Sequence, residues 1–276
     1  MIRIRRFLQA LQLRPLITLR AFGKLPTFFG DYVKYKNKSG IDAQWPLQVS
    51  YPCLLDKDDD AGTARGAYFH QDLLVAQRIF ERKPHVHFDV GSRIDGFVAH
   101  VASFRIIEYF DIRPVAGKAR NMIFRLGNLL EPDSLPDRSC DSLSCLHVIE
   151  HIGLGRYGDP LRPDGWRVGI HSLARMLQWD GRLYLSVPIG SQKVEFNAHR
   201  IFAPTTICRA AEEEDLRLEY FAWVDDQGIL HEPPAGAIAI PTATQDLVAG
   251  CGIFEFRRIN RRDSGISGPS VNLLVT

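Results

Sequence analysis

The sequence predicts an α/β fold: a mostly parallel β-sheet with helices on both faces. Two observations carry that prediction. From Pro84 to Ile259, short runs rich in β-branched and aromatic residues alternate with stretches whose apolar residues recur at helical spacing. Parallel strands need crossovers, usually helical, so this alternation is their signature. The second observation is composition. A chain of 276 residues with 45% hydrophobic and 24% charged side chains is an ordinary globular one, able to bury about three quarters of its unfolded surface without disulfides or metal.

The elements follow in order. Ile4, Phe7, Leu8 and Leu11 fall at helical spacing among Arg3, Arg5 and Arg6 until Pro15 interrupts, and residues 16–66 read as irregular, with Pro26, Pro46, Pro52 and the run Asp56 to Asp60. The alternate aspartates there lack the turn glycine and bidentate acid of a calcium loop, so the run reads as a solvated loop. Phe69, Leu73, Ala76, Gln77 and Phe80 predict a helix ending before Pro84. His85 to Val90 reads as a buried strand, Gly96 to Phe104 as a helix, and Arg105 to Asp111 and Asn121 to Leu126 as the next two strands. Ser142 to Ile149 is a fourth strand, residues 164–178 an amphipathic helix, and Gly181 to Pro188 a fifth strand. A helix opens at Pro204, and Leu216 to Val224 and Cys251 to Ile259 are two last strands. The expected organisation is an N-terminal arm and extension over 1–66, an α/β domain over 67–262 and a tail over 263–276.

Charge and cysteine usage narrow the function classes. Residues 1–38 hold nine Lys or Arg against Asp31, a net +8, while the rest of the chain is −6. A basic arm on a mildly acidic body is not the profile of a nucleic-acid binder. The arm, residues 1–20, reads either as a helix whose apolar stripe docks on its own domain or as a contact with an anionic membrane surface. No secretory signal is expected, because Gln9, Gln12 and Arg14 break the apolar stretch. Cys53, Cys140, Cys145, Cys208 and Cys251 form no CxxC pair, which argues against a disulfide framework or zinc site and suits the cytoplasm.

In a sheet of this kind the ligand lies beyond the carboxyl ends of the strands. The first strand ends Asp89-Val90-Gly91-Ser92, where Gly91 lets the backbone approach a ligand and the next helix offers free N–H groups. The second ends at Asp111, 22 residues after Asp89, the place of an acid that accepts both hydroxyls of a ribose. The third is followed by Gly127-Asn128-Leu129, whose side-chain amide is a candidate partner for an adenine edge. His147 and His151 follow the fourth strand and His199 the fifth; histidine is the side chain whose pKa best suits a general base near neutrality. Tyr157 and Asp159 lie in a Gly-rich loop that reads as a lid, an acceptor contact or a plain turn.

The order DVGSRIDG, EYFDIRP, FRLGNLLEPDSLPDRSCDSLSCLHVIEHI, a helix and DGRLYLSVP resembles the class I S-adenosylmethionine-dependent methyltransferases, from about Pro84 to Ile259. LPDRSCDSLSCLHVIEHIG (Leu135 to Gly153) resembles the fourth strand of that family and its "LEH" ending, and NAHRIFAP (Asn197 to Pro204) its His-Arg-aromatic run. The start of the helix at Tyr68 and GRYGDP (Gly155 to Pro160) are similar to an uncharacterised branch of the superfamily. The resemblance implies a Rossmann-like sheet of order 3-2-1-4-5-7-6 with the last strand antiparallel, and S-adenosylmethionine as cofactor. It implies cofactor contacts at Asp89, Gly91, Ser92, Arg93, Asp111, Asn128, Leu129 and His147, and His199, His151 and His147 as catalytic candidates, His199 foremost as base. The expected acceptor is a sugar hydroxyl of a glycan or its lipid-linked precursor, and no metal is expected.

Two departures support a different reading. Arg93 and Asp95 stand where the family's turn has its second and third glycines, and only ten residues, Ile112 to Asn121, join the second and third strands. Arg93 either closes over the cofactor carboxylate or occludes the pocket. The alternative is therefore a Rossmann-like binding module without catalysis. A third reading takes His147-Val-Ile-Glu150-His151 as an HxxEH zinc-hydrolase motif with Glu219 as distant ligand, which requires a helix there.

Overall fold

The computed structural model describes residues 15–38, 45, 47–234 and 238–260. The chain divides into two compact units, residues 1–63 and 64–276. The arm before Pro15 and the tail from 263 onward lie outside the described residues.

In the first unit, where an irregular chain is expected, Pro15–Lys38 forms a 24-residue helix, α1. Pro15 stands in its first turn, where a missing N–H removes no bond and the fixed φ is already helical. Pro26 is carried inside it, and no residue of the helix is buried. Lys24 pairs with Asp58 at 2.5 Å and Lys57 with Asp31, so two acids are neutralised locally and Asp56–Asp58 is a single 3-10 turn.

The second unit opens with α2 (Ala67–Arg82). Strand β1 (His87–Val90) leads into a π-turn at Ile94–Val98, continued by the short α3 (Ala99–Ala102). Then come β2 (Ile107–Asp111), β3 (Met122–Leu126), β4 (Cys140–Leu146), α4 (Gly165–Met176) and β5 (Leu177–Ile189). A hairpin of β6 (Lys193–Glu195) and β7 (His199–Ile201) precedes α5 (Pro204–Glu213), β8 (Leu216–Val224), β9 (Leu230–His231) and β10 (Gly250–Arg258). The main sheet runs β3-β2-β1-β4-β5-β10-β8-β9. Neighbours from β3 to β5 are parallel, and β10 is antiparallel to both β5 and β8. This is the expected 3-2-1-4-5-7-6 order, with β10 as the seventh strand and β9 added at the edge.

Each face of the sheet carries its own core. Phe88, Phe110, Leu143, Leu185 and Phe254 pack on one side with Leu173 of α4 and Ile207 of α5. Val75 and Ile79 of α2 meet Phe97, Val101, Ile107, Tyr109 and Tyr184 on the other. Each such side chain contributes roughly 1.5–3 kcal/mol when fully buried. The face of α2 that packs is not the expected one. Of the stripe Phe69, Leu73, Ala76, Gln77 and Phe80, only Ala76 is buried; Gln71, Leu74, Val75 and Ile79 turn inward. The helix carries two apolar lines, and the β-branched one fits between α3 and the sheet. Its position is fixed by charge as well: Glu255 of β10, 1% exposed, is held by Arg78 (2.6 Å) and Arg82 (2.7 Å) of α2 and Arg182 (3.1 Å) of β5.

No helix connects β2 to β3, as their ten-residue link foretells. That corner of the sheet is left open, with Ile123 and Leu126 exposed. Among the described residues no helix is long and apolar enough to cross a membrane.

Candidate functional site

A cleft opens at the carboxyl ends of β1, β2, β3 and β4. It holds ≈ 630 Å³ of empty space, part of it open to solvent. Gly91, Asp111, Leu129, His147, His151 and Tyr157 are on its wall.

The turn after β1 is built from its own polar groups. Asp89 is fully buried and accepts from Ser92 N (3.0 Å), Ser92 Oγ (2.6 Å) and Ser144 Oγ (2.5 Å). Ser92 Oγ in turn accepts from Leu146 N at 3.0 Å. Burial pushes the Asp89 carboxyl up to about 7, against the hydrogen bonds from Ser144 and Ser92. This knot ties β1 to β4 and leaves Gly91 at the cleft with φ +73°; a Cβ there would lie 3.0 Å from Val148 Cγ1. A side chain at 91 would therefore be strained and crowded at once.

Asp111 closes β2 with every acceptor position filled. It takes hydrogen bonds from Tyr109 Oη (2.8 Å), Arg113 N (2.8 Å), Arg113 Nε (3.0 Å) and Arg113 Nη2 (2.9 Å). Burial raises its carboxyl, but these donors outweigh burial and hold it below the usual carboxylate range. The Arg113 guanidinium lies 4.5 Å over the Tyr157 ring, on the opposite lip of the cleft.

At the end of β4, His147 adopts φ +56°, a conformation that non-glycine residues hold only where the surroundings enforce it. Its N–H bonds Ser186 O, and its Nδ1 is 2.7 Å from Oε1 of Glu150, itself 1% exposed. Burial works against the His147 imidazolium, but the neighbouring Cys251 and the Glu150 carboxylate together outweigh it and raise the ring's pKa well above its ordinary value. His151 donates from Nδ1 to Ala198 O at 2.7 Å, and its Nε2 is 3.7 Å from the same Glu150 oxygen. Burial lowers the pKa of His151, only partly opposed by Glu150. Glu150 thus stands between two imidazoles of opposite character. Among the described residues, its Oε2 is buried with no hydrogen-bond partner.

The loop beyond forms a roof. Gly153 has φ +78°, and a Cβ on it would meet Arg162 O at 1.9 Å. Asp159 accepts from the N–H of Gly153, Gly155 and Tyr157 at 2.7, 3.3 and 3.2 Å. The Tyr157 ring is edge-on to His151, with centroids 5.5 Å apart. Arg200, buried on β7, binds Ile152 O at 2.6 Å and Pro163 O at 3.2 Å and joins this loop to the hairpin.

A family profile of a Caenorhabditis protein of unknown function, DUF268, matches residues 136–212. No curated protein sequence matches the chain. Among solved structures, it is similar to the 1,6-didemethyltoxoflavin-N1-methyltransferase of Burkholderia thailandensis, solved with 1,6-didemethyltoxoflavin and S-adenosylhomocysteine. The two share 13% identity over 80% of this chain and 99% of that one, with a TM-score of 0.51. The fold is that of the class I methyltransferases. The N-methyltransferase NodS of Bradyrhizobium japonicum is also similar, at 12% identity over 70% of this chain and 97% of that one, TM-score 0.48.

On this methyltransferase fold, the residues singled out from the sequence separate into two groups. Gly91, Asp111, Asn128, Leu129, His147 and His151 share the cleft. Asp89 and Ser92 do not reach it, because they are consumed in the turn they hold. Arg93 is not on its wall: it is half exposed, paired with Asp95 at 3.2 Å and 5.0 Å over the Tyr68 ring, so it does not plug the pocket. The Asn128 amide serves its own turn, accepting from Leu130 N and donating to Glu131, both at 3.0 Å. His199 stands off the wall, its ring 6.5 Å from that of His151. The HxxEH reading fails on geometry: Glu150 and His151 lie in a turn rather than a helix. Its distant ligand, Glu219, is occupied by Arg182 (3.1 Å) and Arg257 (2.6 Å). Sequence reasoning missed Arg113 as a part of the site. Its position two residues past Asp111 was the available signal. Glu150, read there only as part of the HxxEH motif, is the acid shared by both cleft histidines.

Proposed function

We propose that the chain is a methyltransferase that uses S-adenosylmethionine and acts on a hydroxyl acceptor. One observation supports this above the others: on a class I methyltransferase sheet, a bare-backbone turn at Gly91, an acid at Asp111 and apolar walls at Ile112 and Leu129 share a single cleft. The cofactor fits that set by chemistry. Asp111 offers carboxylate oxygens to ribose hydroxyls, Ile112 and Leu129 offer apolar surface to a purine face, and Gly91 leaves room for close approach.

When bound, the cofactor supplies a methyl group activated by a sulfonium. The chain's own work is to align, to exclude water and to handle one proton. Tyr157, held by Asp159 and covered by Arg113, roofs the cleft against solvent. His151 is the base this reading favours. Its Nδ1–H is committed to Ala198 O, so the lone pair is at Nε2, and its lowered pKa keeps it neutral near pH 7. His147, raised by Cys251 and Glu150, is the fixed cation of the pair, and His199 flanks His151 instead of acting in its place. An unactivated hydroxyl is the acceptor that calls for a base, and a sugar hydroxyl of a glycan or its lipid-linked precursor is the class we carry forward.

A second reading, a binding module without transfer, is favoured by the full occupancy of Asp111. Calorimetric titration with S-adenosylmethionine and S-adenosylhomocysteine separates the two. Binding of both, with His151→Ala retaining binding and losing turnover, supports the enzyme. No heat with either ligand supports the module.

A further inference from the structure

We infer that helix α1 is a membrane-surface element that lies on an anionic bilayer, with one apolar stripe in the boundary between headgroups and acyl chains. Leu19, Phe22, Phe29 and Val33 recur with Pro26 at steps of three and four residues, the spacing that puts side chains on one helical face. They are 71%, 64%, 55% and 52% exposed. The helix makes its protein contacts on another side. Its half-buried residues are Ala21, Lys24, Leu25, Phe28, Asp31 and Tyr32, and two of these are the ion-paired residues that hold segment 57–58. The stripe is therefore not the face by which α1 belongs to its own unit, and an apolar surface of this extent marks a site of contact.

Charge selects the partner. Arg20, Lys34, Lys36 and Lys38 are exposed on the same helix, and its single acid, Asp31, is engaged by Lys57. The sequence before it adds Arg3, Arg5, Arg6 and Arg14 with no acid. A second copy would bring like charge against like. An anionic lipid surface supplies an apolar interior and a counter-charge together. The helix is not apolar enough to span, and its aromatic and aliphatic stripe beside lysines suits an orientation in the plane of the surface.

The test is sedimentation of the full chain with vesicles of phosphatidylcholine alone, or with about one third phosphatidylserine. Binding is expected only to the anionic vesicles. The triple variant Lys34→Gln/Lys36→Gln/Lys38→Gln should weaken it by roughly fivefold per charge removed, and Phe22→Ser/Phe29→Ser by at least about tenfold, with the unfolding midpoint unchanged in both. Four results would overturn the inference: equal binding to neutral vesicles; no binding to either; a lower unfolding midpoint in Phe22→Ser/Phe29→Ser, which would make the stripe an internal contact; or a dimer in light scattering that this variant dissolves.

Discussion

Asp111→Asn is the substitution on which the cofactor reading turns. In the free protein the carboxylate accepts four hydrogen bonds, two per oxygen, which is its full capacity. Ribose hydroxyls must therefore displace donors, and the exchangeable ones are Arg113 Nε and Nη2. The Arg113 side chain is 53% exposed and that of Asp111 6%, so the displaced guanidinium regains water, and the half-exposed pair it gives up is worth about 1 kcal/mol. Hydrogen bonds to a charged acceptor contribute about 1.5–3 kcal/mol each. Asparagine keeps one neutral acceptor and turns the other towards the hydroxyls as a donor. The net loss is about 2–3 kcal/mol, or roughly 30- to 150-fold in Kd for S-adenosylhomocysteine by calorimetry. Arg113→Ala removes the competitor and should tighten binding up to about fivefold. A change under about threefold in Asp111→Asn would refute the ribose contact. Tenfold weakening in Arg113→Ala would show instead that the guanidinium holds the ligand and Asp111 merely anchors it.

Three further outcomes are expected. Asp89, pushed up to about 7, is protonated in the folded chain and ionised in the unfolded one between about pH 4 and pH 7. Its stabilisation is thus complete below about pH 4 and is lost as pH rises towards 7, by about 4 kcal/mol at about 1.4 kcal/mol per unit. Urea unfolding at about pH 5 and pH 7 should show a steeper fall for the wild-type chain than for Asp89→Asn. Gly153→Ala combines a positive φ with a Cβ 1.9 Å from Arg162 O and should cost about 2–4 kcal/mol. Thermal unfolding reads that cost, and weakened S-adenosylhomocysteine binding reads the displaced roof. Glu150→Gln removes one of the two groups that raise His147 and leaves Cys251 and the burial that lowers it. The His147 ring titration followed by NMR should move downward, and an unchanged titration would separate the two residues.

The strands were legible because each obeys a local rule. β8 runs Leu216–Val224 as its alternation indicates, and β4 differs from expectation by a few residues at its ends. The strand order and the place of β10 between β5 and β8 came from the resemblance, since pairing partners leave no mark on a single segment. Helix α1 was hidden by Pro15 and Pro26, each read as a breaker although one sits in a first turn. On α2 periodicity found the helix and chose the wrong face, because two apolar lines satisfy the same spacing and only the tertiary neighbours decide. In the site, Gly91 and Asp111 were found by position relative to strand ends. Asp89, Asn128 and His199 had the same positional signal, but the Asp89 and Asn128 side chains are spent on their own turns and His199 stands off the wall, which position at a strand end does not reveal. Arg113 and Glu150 act through neighbours at i−2 and i−3, a short-range pairing that chain order does contain.

The missing helix between β2 and β3 has a bearing on how the acid at the strand end is released. In its absence Pro114 to Ala119 curl around a second hollow, bounded by Tyr109, Met122 and Ile94, and Asp111 and Arg113 stand on the partition between it and the main cleft. A full-length crossover would fill that space with packed side chains. The abbreviated one leaves open space beside the arginine, so on the proposed reading the side chain has a place to swing if a ribose takes its carboxylate, without rearrangement of the sheet.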